Sequence, residues 1–404
     1  MRSGLQETMK NQNIIIISQQ NWESVIGTNP RNMAKEFAKN NRVLYVNMPL
    51  DVNTLLQRHK EPEVQKRLQV VLGQEKGLIA AEHNVWVYTT GMVLLSANWL
   101  TSRPLFKAIN YINAKWLATS IRKAAEAIGF ESYYILEDGL LYPGLELKRL
   151  LRPRKFIYYI RDYVMIVQYF KRHGPWLEPA LMKEADIVVA NSAYLRDYAQ
   201  QHNPHSYDIG QGCVLSMYQA EAEYDLPADL SSVPGPTIVY TGLLTALRLD
   251  LDLLLAIAQQ RPNWHLVFIG PEDEAFQQSL LHQLPNVHFL GTKTPQELGA
   301  YLRHCQVCIN PQIVNDITVG NYPLKIDEYL AMGKPIVATA TRAMEMFADH
   351  VYLATGHEQW IKQLGVAIDD NNFERARQRI AFAKSHTWEA TVGVLYNIVA
   401  ELEH

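Results

Sequence analysis

Lys325 and Glu328 stand three residues apart in the stretch Gly320–Thr339, GNYPLKIDEYLAMGKPIVAT. That spacing puts an ammonium and a carboxylate at neighbouring positions on one helix face. A loop, Gly320-Asn321-Tyr322, runs ahead of them, and Pro323 suits a first helical position because its missing N–H would have no helical partner. A lysine in a first helical turn can reach a phosphate, and the helix N-terminus itself favours anions. Arg248 is the only basic residue between the strand-like run Thr237–Thr241, which ends at Gly242, and the helical run around Asp250–Gln260. In the first half, Glu137-Asp138 and Arg161-Asp162 each follow a buried-strand run directly. Ligands of open α/β sheets gather outside the carboxyl ends of strands, so these charges are placed to meet one. Plainer alternatives stand beside each reading: an Arg–Asp pair that only holds a loop, a surface Arg on a polar loop, an ordinary α/β crossover with an exposed Lys and Glu.

These side chains need a scaffold, and the apolar runs supply one. Ile14–Ile17, Val43–Val46, Val85–Tyr88, Tyr133–Leu136 and Phe156–Ile160 read as buried strands, and the stretch Ala185–Ser192 follows them. Asn29-Pro30 opens a helix to about Lys39, residues 51–84 are charged and helical in tone, and Arg103–Gly129 reads as one long helix. Residues 203–236 carry Pro204, Gly210, Gly212, Pro227, Pro234, Gly235 and Pro236, the composition of an interdomain connection. The pattern restarts with Thr237–Gly242, Trp264–Gly270, Asn286–Gly291, Val307–Pro311, Pro335–Thr339 and Val351–Leu353, and a helix over His386–Glu401 ends it. The expected division is residues 1–215, residues 216–385 and a terminal helix, 386–404. Gly333 is a natural residue to stop the Lys325 helix, with Pro335 just beyond.

Proline, a Lys two residues on, a Glu three after that, then Tyr-Leu-Ala-x-Gly-Lys-Pro and a strand is similar to the donor-site helix of nucleotide-sugar glycosyltransferases of the GT-B architecture. That family has two Rossmann-like α/β domains facing a cleft and a C-terminal helix crossing back to the first, and it includes bacterial enzymes of cell-surface polysaccharide synthesis. The resemblance is close over 237–339 and holds only in outline before that. It implies that Glu328 hydrogen-bonds the ribose and that Val319, Gly320 and Asn321 lie against the pyrophosphate and sugar. It further implies that Arg248 and Lys325 neutralise the diphosphate, beside Gly242, and that the backbone after Gly291, at Thr292, reads the base. Gly27, Asp138 and Arg161 would face the acceptor, and Asp162 stands where the family often holds a His or Asp near the transferred sugar. One departure matters. Many retaining members carry a second Glu at the place held here by Gly320, so Asp316, Asn321 or the backbone of 319–321 would have to take the sugar contacts.

The activity so implied is transfer of a sugar from a UDP, GDP or dTDP sugar to a glycan or lipid-linked acceptor, retaining and without a cofactor or metal. Charge spread over a leaving diphosphate can be met by fixed cations and a helix N-terminus. A nucleotide-sugar epimerase on the same fold and a non-catalytic nucleotide-sugar binder are the alternatives. A dehydrogenase is weaker, since Gly27 stands alone without a GxGxxG pattern.

Bulk properties agree. A chain of 404 residues with 48% hydrophobic and 20% charged residues suits two globular domains. Net charge of −3 gives no basic field for nucleic acid. Cys213, Cys305 and Cys308 make no disulfide framework, and Cys305-Gln306-Val307-Cys308 reads as two buried thiols. No signal peptide or membrane span is legible, so a cytoplasmic protein is expected. The basic, Trp-containing face of 103–129 has two readings: contact with an anionic membrane surface, or the solvated side of a core helix, which is preferred.

Overall fold

The computed structural model describes residues 9–24, 28–315, 318–320, 322–370 and 372–403. Gly27, Asp316 and Asn321 lie outside the described residues. The chain forms two units, one of Met1–Gly210 with Trp388–His404, the other of Gln211–Thr387.

In the first unit the strands are β1 (Asn13–Ser18), β2 (Arg42–Val46), β3 (Leu50–Asp51), β4 (Leu78–Glu82), β5 (Val85–Tyr88), β6 (Val93–Leu94), β7 (Tyr134–Asp138), β8 (Phe156–Ile160), β9 (Ile187–Ala190) and β10 (Ser206–Asp208). Eight of them make one sheet in the order β10-β9-β8-β7-β1-β2-β5-β4, with β3 and β6 forming a separate parallel pair. All neighbours in the large sheet are parallel except β4 on β5. Parallel strands covered on both faces require apolar residues on both faces, and Ile14–Ile17 and Phe156–Ile160 are buried throughout. The run from β5 through β2, β1, β7 and β8 to β9 is doubly wound, and its order reverses between β1 and β7.

The helix Trp388–Glu403 completes this first unit. Its Trp388, Val392, Leu395 and Val399 enter the core formed by Met33, Phe37, Val43 and Tyr45. Asn41 donates to the Tyr396 hydroxyl at 2.8 Å, and the Tyr134 hydroxyl donates to Glu403 at 2.7 Å.

The second unit holds β11 (Thr237–Thr241), β12 (His265–Ile269), β13 (Val287–Phe289), β14 (Val307–Asn310), β15 (Ile336–Thr339) and β16 (Tyr352–Ala354). They form an all-parallel sheet in the order β13-β12-β11-β14-β15-β16, which reverses between β11 and β14. The division falls at Gly210 and Thr387 rather than at 215 and 385. Residues from 211 belong with the second unit because Tyr218 and Leu230 are buried in its core, and Asp229 pairs with Lys293 at 2.7 Å. Residues 51–84 are not all helical: two helices, Val52–Arg58 and Pro62–Val71, precede β4. Cys305 and Cys308 are buried free thiols with Sγ atoms 3.6 Å apart. Among the described residues no helix is long and apolar enough to cross a membrane.

Candidate functional site

The helix carrying Lys325 and Glu328 spans Leu324–Ala331, and Pro323 is its N-cap rather than its first residue. Its C-terminus closes as the sequence foretells. Gly333, at φ +69°, donates to Leu330 O, and Lys334 donates to Tyr329 O, the paired bonds of a left-handed helix stop. Ile326, Asp327, Tyr329 and Leu330 are buried, while Lys325 and Glu328 stay partly exposed. Tyr329 locks the helix to the end of β11, its hydroxyl accepting the Thr241 N–H at 2.9 Å.

Lys325 Nζ donates to the Tyr240 hydroxyl at 2.8 Å and sits 4.4 Å from that ring's centroid. A side chain at Gly242 would come within 3.6 Å of the same ammonium, so the backbone just past β11 lies directly under it. That backbone is tightly stitched. A Cβ on Gly270 would fall 1.9 Å from Gly242 O, and Gly270 N–H donates to Gly291 O at 2.9 Å. Gly242, Gly270 and Gly291 therefore bring the exits of β11, β12 and β13 together, while Thr292 is exposed beyond them.

Arg248 is exposed at the end of the loop that leaves β11, and its guanidinium has no hydrogen-bond or ion-pair partner among the described residues. Its backbone is fixed: Arg248 N–H donates to Thr245 O, Ile313 N–H donates to Arg248 O at 2.9 Å, and Leu249 bridges to Gln312. Asp273 holds the same loop by accepting the Ala246 N–H at 2.9 Å. The loops after β11 and β14, on either side of the strand-order reversal, are thus zipped together with Arg248 between them. At the end of β14, Asn310 is fully buried with neither amide atom partnered among the described residues.

Glu328 is half-buried. Loss of water pushes its carboxyl up to about 7, and the charge of Lys325 and the Tyr218 hydroxyl pull it back only in part. Neighbouring Asp327 is fully buried and is tied to His386 Nδ1 at 2.6 Å and to the Tyr322 hydroxyl at 2.7 Å. Burial raises its pKa against the opposing pull of His386. Asp327 anchors the loop before the helix, whereas Glu328 meets the Tyr218 hydroxyl and the charge of Lys325. Val319 is half-buried and Gly320 buried in that loop, where Val319 N–H donates to Asn315 O at 2.9 Å.

In the first unit, Asp138 is fully buried and accepts from Ser18 Oγ at 2.8 Å and from Arg161 Nε at 2.7 Å. Burial works to lower the Arg161 pKa, but Asp138 outweighs it and holds the guanidinium above its ordinary range. Asp138 and Arg161 clamp the ends of β1, β7 and β8, whereas Asp162 is exposed and meets Arg161 Nη1 at 3.2 Å. A cavity of about 360 Å³ opens at the carboxyl ends of β1, β2 and β7. Gln19, Met48, Gly139 and Leu140 form its strand-end wall, and Tyr142 and Tyr169, stacked at 5.1 Å between centroids, form another.

Residues 235–370 match the family model described as "Glycosyl transferases group 1". That segment is about a third of the chain and is similar to this family. A Bacillus subtilis (strain 168) protein, TuaH, named as a glycosyltransferase of teichuronic acid biosynthesis, is 26% identical to this chain over 172 residues. That alignment covers 40% of this chain and 42% of TuaH, so less than half of each is compared. Solved structures share the whole fold. Sucrose-phosphate synthase from Thermosynechococcus elongatus has a TM-score of 0.63 at 17% identity, over 96% of this chain and 98% of that one. HepE from Anabaena, in complex with UDP and glucose, has a TM-score of 0.62 at 16% identity, over 97% and 99%. An Escherichia coli trehalose-6-phosphate protein bound with UDP-2-fluoro glucose has a TM-score of 0.66 at 10% identity, over 97% and 99%. The architecture is GT-B.

In the second unit the structure puts Lys325 beside Gly242, with Glu328 further along the same helix and Arg248 on the loop that leaves β11. Sequence reasoning missed Tyr240, which holds Lys325 85 residues away, and Tyr218, which touches Glu328 from the connecting segment. It also missed Asn310, although a polar residue ending an otherwise apolar strand, Val307-Cys308-Ile309-Asn310, was a visible signal.

Proposed function

We propose that this protein transfers a sugar from a nucleoside-diphosphate sugar to an acceptor hydroxyl in the synthesis of a cell-surface polysaccharide or glycolipid, at the inner face of the membrane. One arrangement carries the reading: Lys325, tethered to Tyr240 of β11, shares a helix with half-buried Glu328, and Arg248, without a side-chain partner among the described residues, stands on the loop leaving β11, the strand at which the order of the second unit's sheet reverses. Glu328 accepts hydrogen bonds from the ribose hydroxyls, and Lys325 and Arg248 face the diphosphate. As the bond between sugar C1 and the phosphate oxygen breaks, its electron pair moves onto the diphosphate; the acceptor oxygen forms the new bond to C1, and its hydroxyl proton passes to the departing diphosphate. Cations fixed before the reaction stabilise that growing charge without reorganising, so they favour the transition state over the bound substrate. Retention of configuration and independence of metal belong to this reading.

The ligands named for HepE and for the Escherichia coli protein make UDP-glucose the first donor to try. The name of TuaH makes a wall-polysaccharide intermediate a fitting acceptor class. We place the acceptor's sugar in the first unit's cavity, where the Tyr142–Tyr169 wall offers a stacking face and Gln19 a hydrogen-bonding rim.

The test is titration of UDP, GDP and dTDP sugars into the wild type and into Arg248→Ala and Lys325→Ala. One nucleotide should bind the wild type, with affinity falling about tenfold in each variant and turnover falling on the order of 10²-fold, as on loss of a fixed transition-state donor. Turnover should survive EDTA. Equal nucleotide affinity in all three proteins refutes the assignment.

A further inference from the structure

The long helix Arg103–Ala127 buries Phe106, Ala114, Leu117 and Ile121 and turns its other side outward. That outer side is not simply polar. Leu105 is 48% exposed, Ile112 40% and Trp116 44%, and Trp99, just before the helix, is 65% exposed. The helix carries five cations, Arg103, Lys107, Lys115, Arg122 and Lys123, against one carboxylate, Glu126, in a chain whose net charge is −3. Lys115 and Lys123 make no ion pair or hydrogen bond through their ammonium groups among the described residues. Both line a groove of about 590 Å³ with Met92, Ile112 and Trp116, and no carboxylate lines it.

A solvated basic face has no use for exposed tryptophans, and a protein–protein patch has no use for unpaired lysines set around an apolar groove. The two features coincide at a lipid–water boundary, where indole rings settle among headgroups and ammoniums meet lipid phosphates. We infer that the outer face of Arg103–Ala127 docks on an anionic phospholipid surface, with a headgroup phosphate seated between Lys115 and Lys123. This rests on and deepens the membrane-face part of the function proposed above, taking the first of the two readings of this helix.

The experiment is co-sedimentation of the intact protein with phosphatidylcholine vesicles, with and without phosphatidylglycerol, in wild type, Lys115→Ala/Lys123→Ala and Trp116→Ser. Wild type should bind the phosphatidylglycerol vesicles and bind phosphatidylcholine alone at least tenfold more weakly. Each lysine near an anionic surface is worth about a fivefold change in partitioning, so the double variant should lose on the order of 20-fold. Trp116→Ser should lose about tenfold, because an indole no longer enters the interface. Free glycerol phosphate should not displace the protein; displacement would mean a soluble phosphate ligand and overturn the docking reading. So would equal binding to both vesicle types, or variants that sediment like the wild type. UDP affinity, measured in the same variants, should be unchanged. Vesicle binding without nucleotide binding would sink the transferase reading alone, and the reverse would sink the docking surface alone.

Discussion

Glu328→Gln should make the protein more stable and worse at holding nucleotide, and the gain should depend on pH. The unfolded chain titrates this carboxyl at its ordinary 4.5, whereas in the fold desolvation raises it to about 7. Between those values the native state binds the proton more tightly, so stability falls as pH rises through the window and stays low above it. At 1.36 kcal/mol per pH unit, ionising Glu328 costs at most about 3 kcal/mol at pH 8 and about 1.4 kcal/mol at pH 5.5. Residual solvent contact trims both figures. Glutamine keeps the shape without the charge, so its benefit at pH 8 should exceed that at pH 5.5 by up to about 2 kcal/mol. For a unit of this size that is a differential rise in Tm of about 4–8 °C. The assay is scanning calorimetry of both proteins at the two pH values, with and without UDP. Bonds from ribose hydroxyls to a carboxylate are charge-assisted, so the variant should also lose about tenfold in UDP affinity. Equal gains at both pH values, or undiminished stabilisation by UDP, would refute the argument that a ligand is what the unfavourably buried carboxylate is kept for.

Two further outcomes follow from the packing. Gly270→Ala would drive a methyl onto Gly242 O, 1.9 Å from where its Cβ must sit. It should cost about 3 kcal/mol or more in urea unfolding and weaken UDP binding through the displaced Gly242 turn. Asp327→Ala would leave His386 and the Tyr322 hydroxyl without their shared buried acceptor. It should cost about 3 kcal/mol at pH 7, read in the same way, while leaving the Lys325–Tyr240 contact intact.

Strands were the legible part of this chain, because a strand buried on both faces must be apolar throughout, as Ile14–Ile17 and Phe156–Ile160 are. β4 was not legible: Leu78–Glu82 is a half-exposed edge strand whose LIAAE sequence carries residues equally at home in a helix. β10 is three residues long at the other edge, too short to register as a period. Lys325, Glu328 and Arg248 could be read from spacing and from resemblance to a family. Their supports could not, because the Lys325–Tyr240 and Asp327–His386 links join residues 85 and 59 positions apart. Asp138 and Arg161 show the limit most plainly: strand-end position put them near a ligand, but only the fold shows each spending its charge on the other.

The first unit is discontinuous in sequence, and this orders its biosynthesis. Trp388–Glu403 leaves the ribosome only after all of Gln211–Thr387 has been made, so the second unit can finish folding while its predecessor still lacks a helix. Until then the surface around Met33, Phe37 and Tyr45 is uncovered apolar area on a nascent chain. Chaperone demand should therefore centre on the earlier-born half, and a truncation before Trp388 should aggregate through it rather than through Gln211–Thr387.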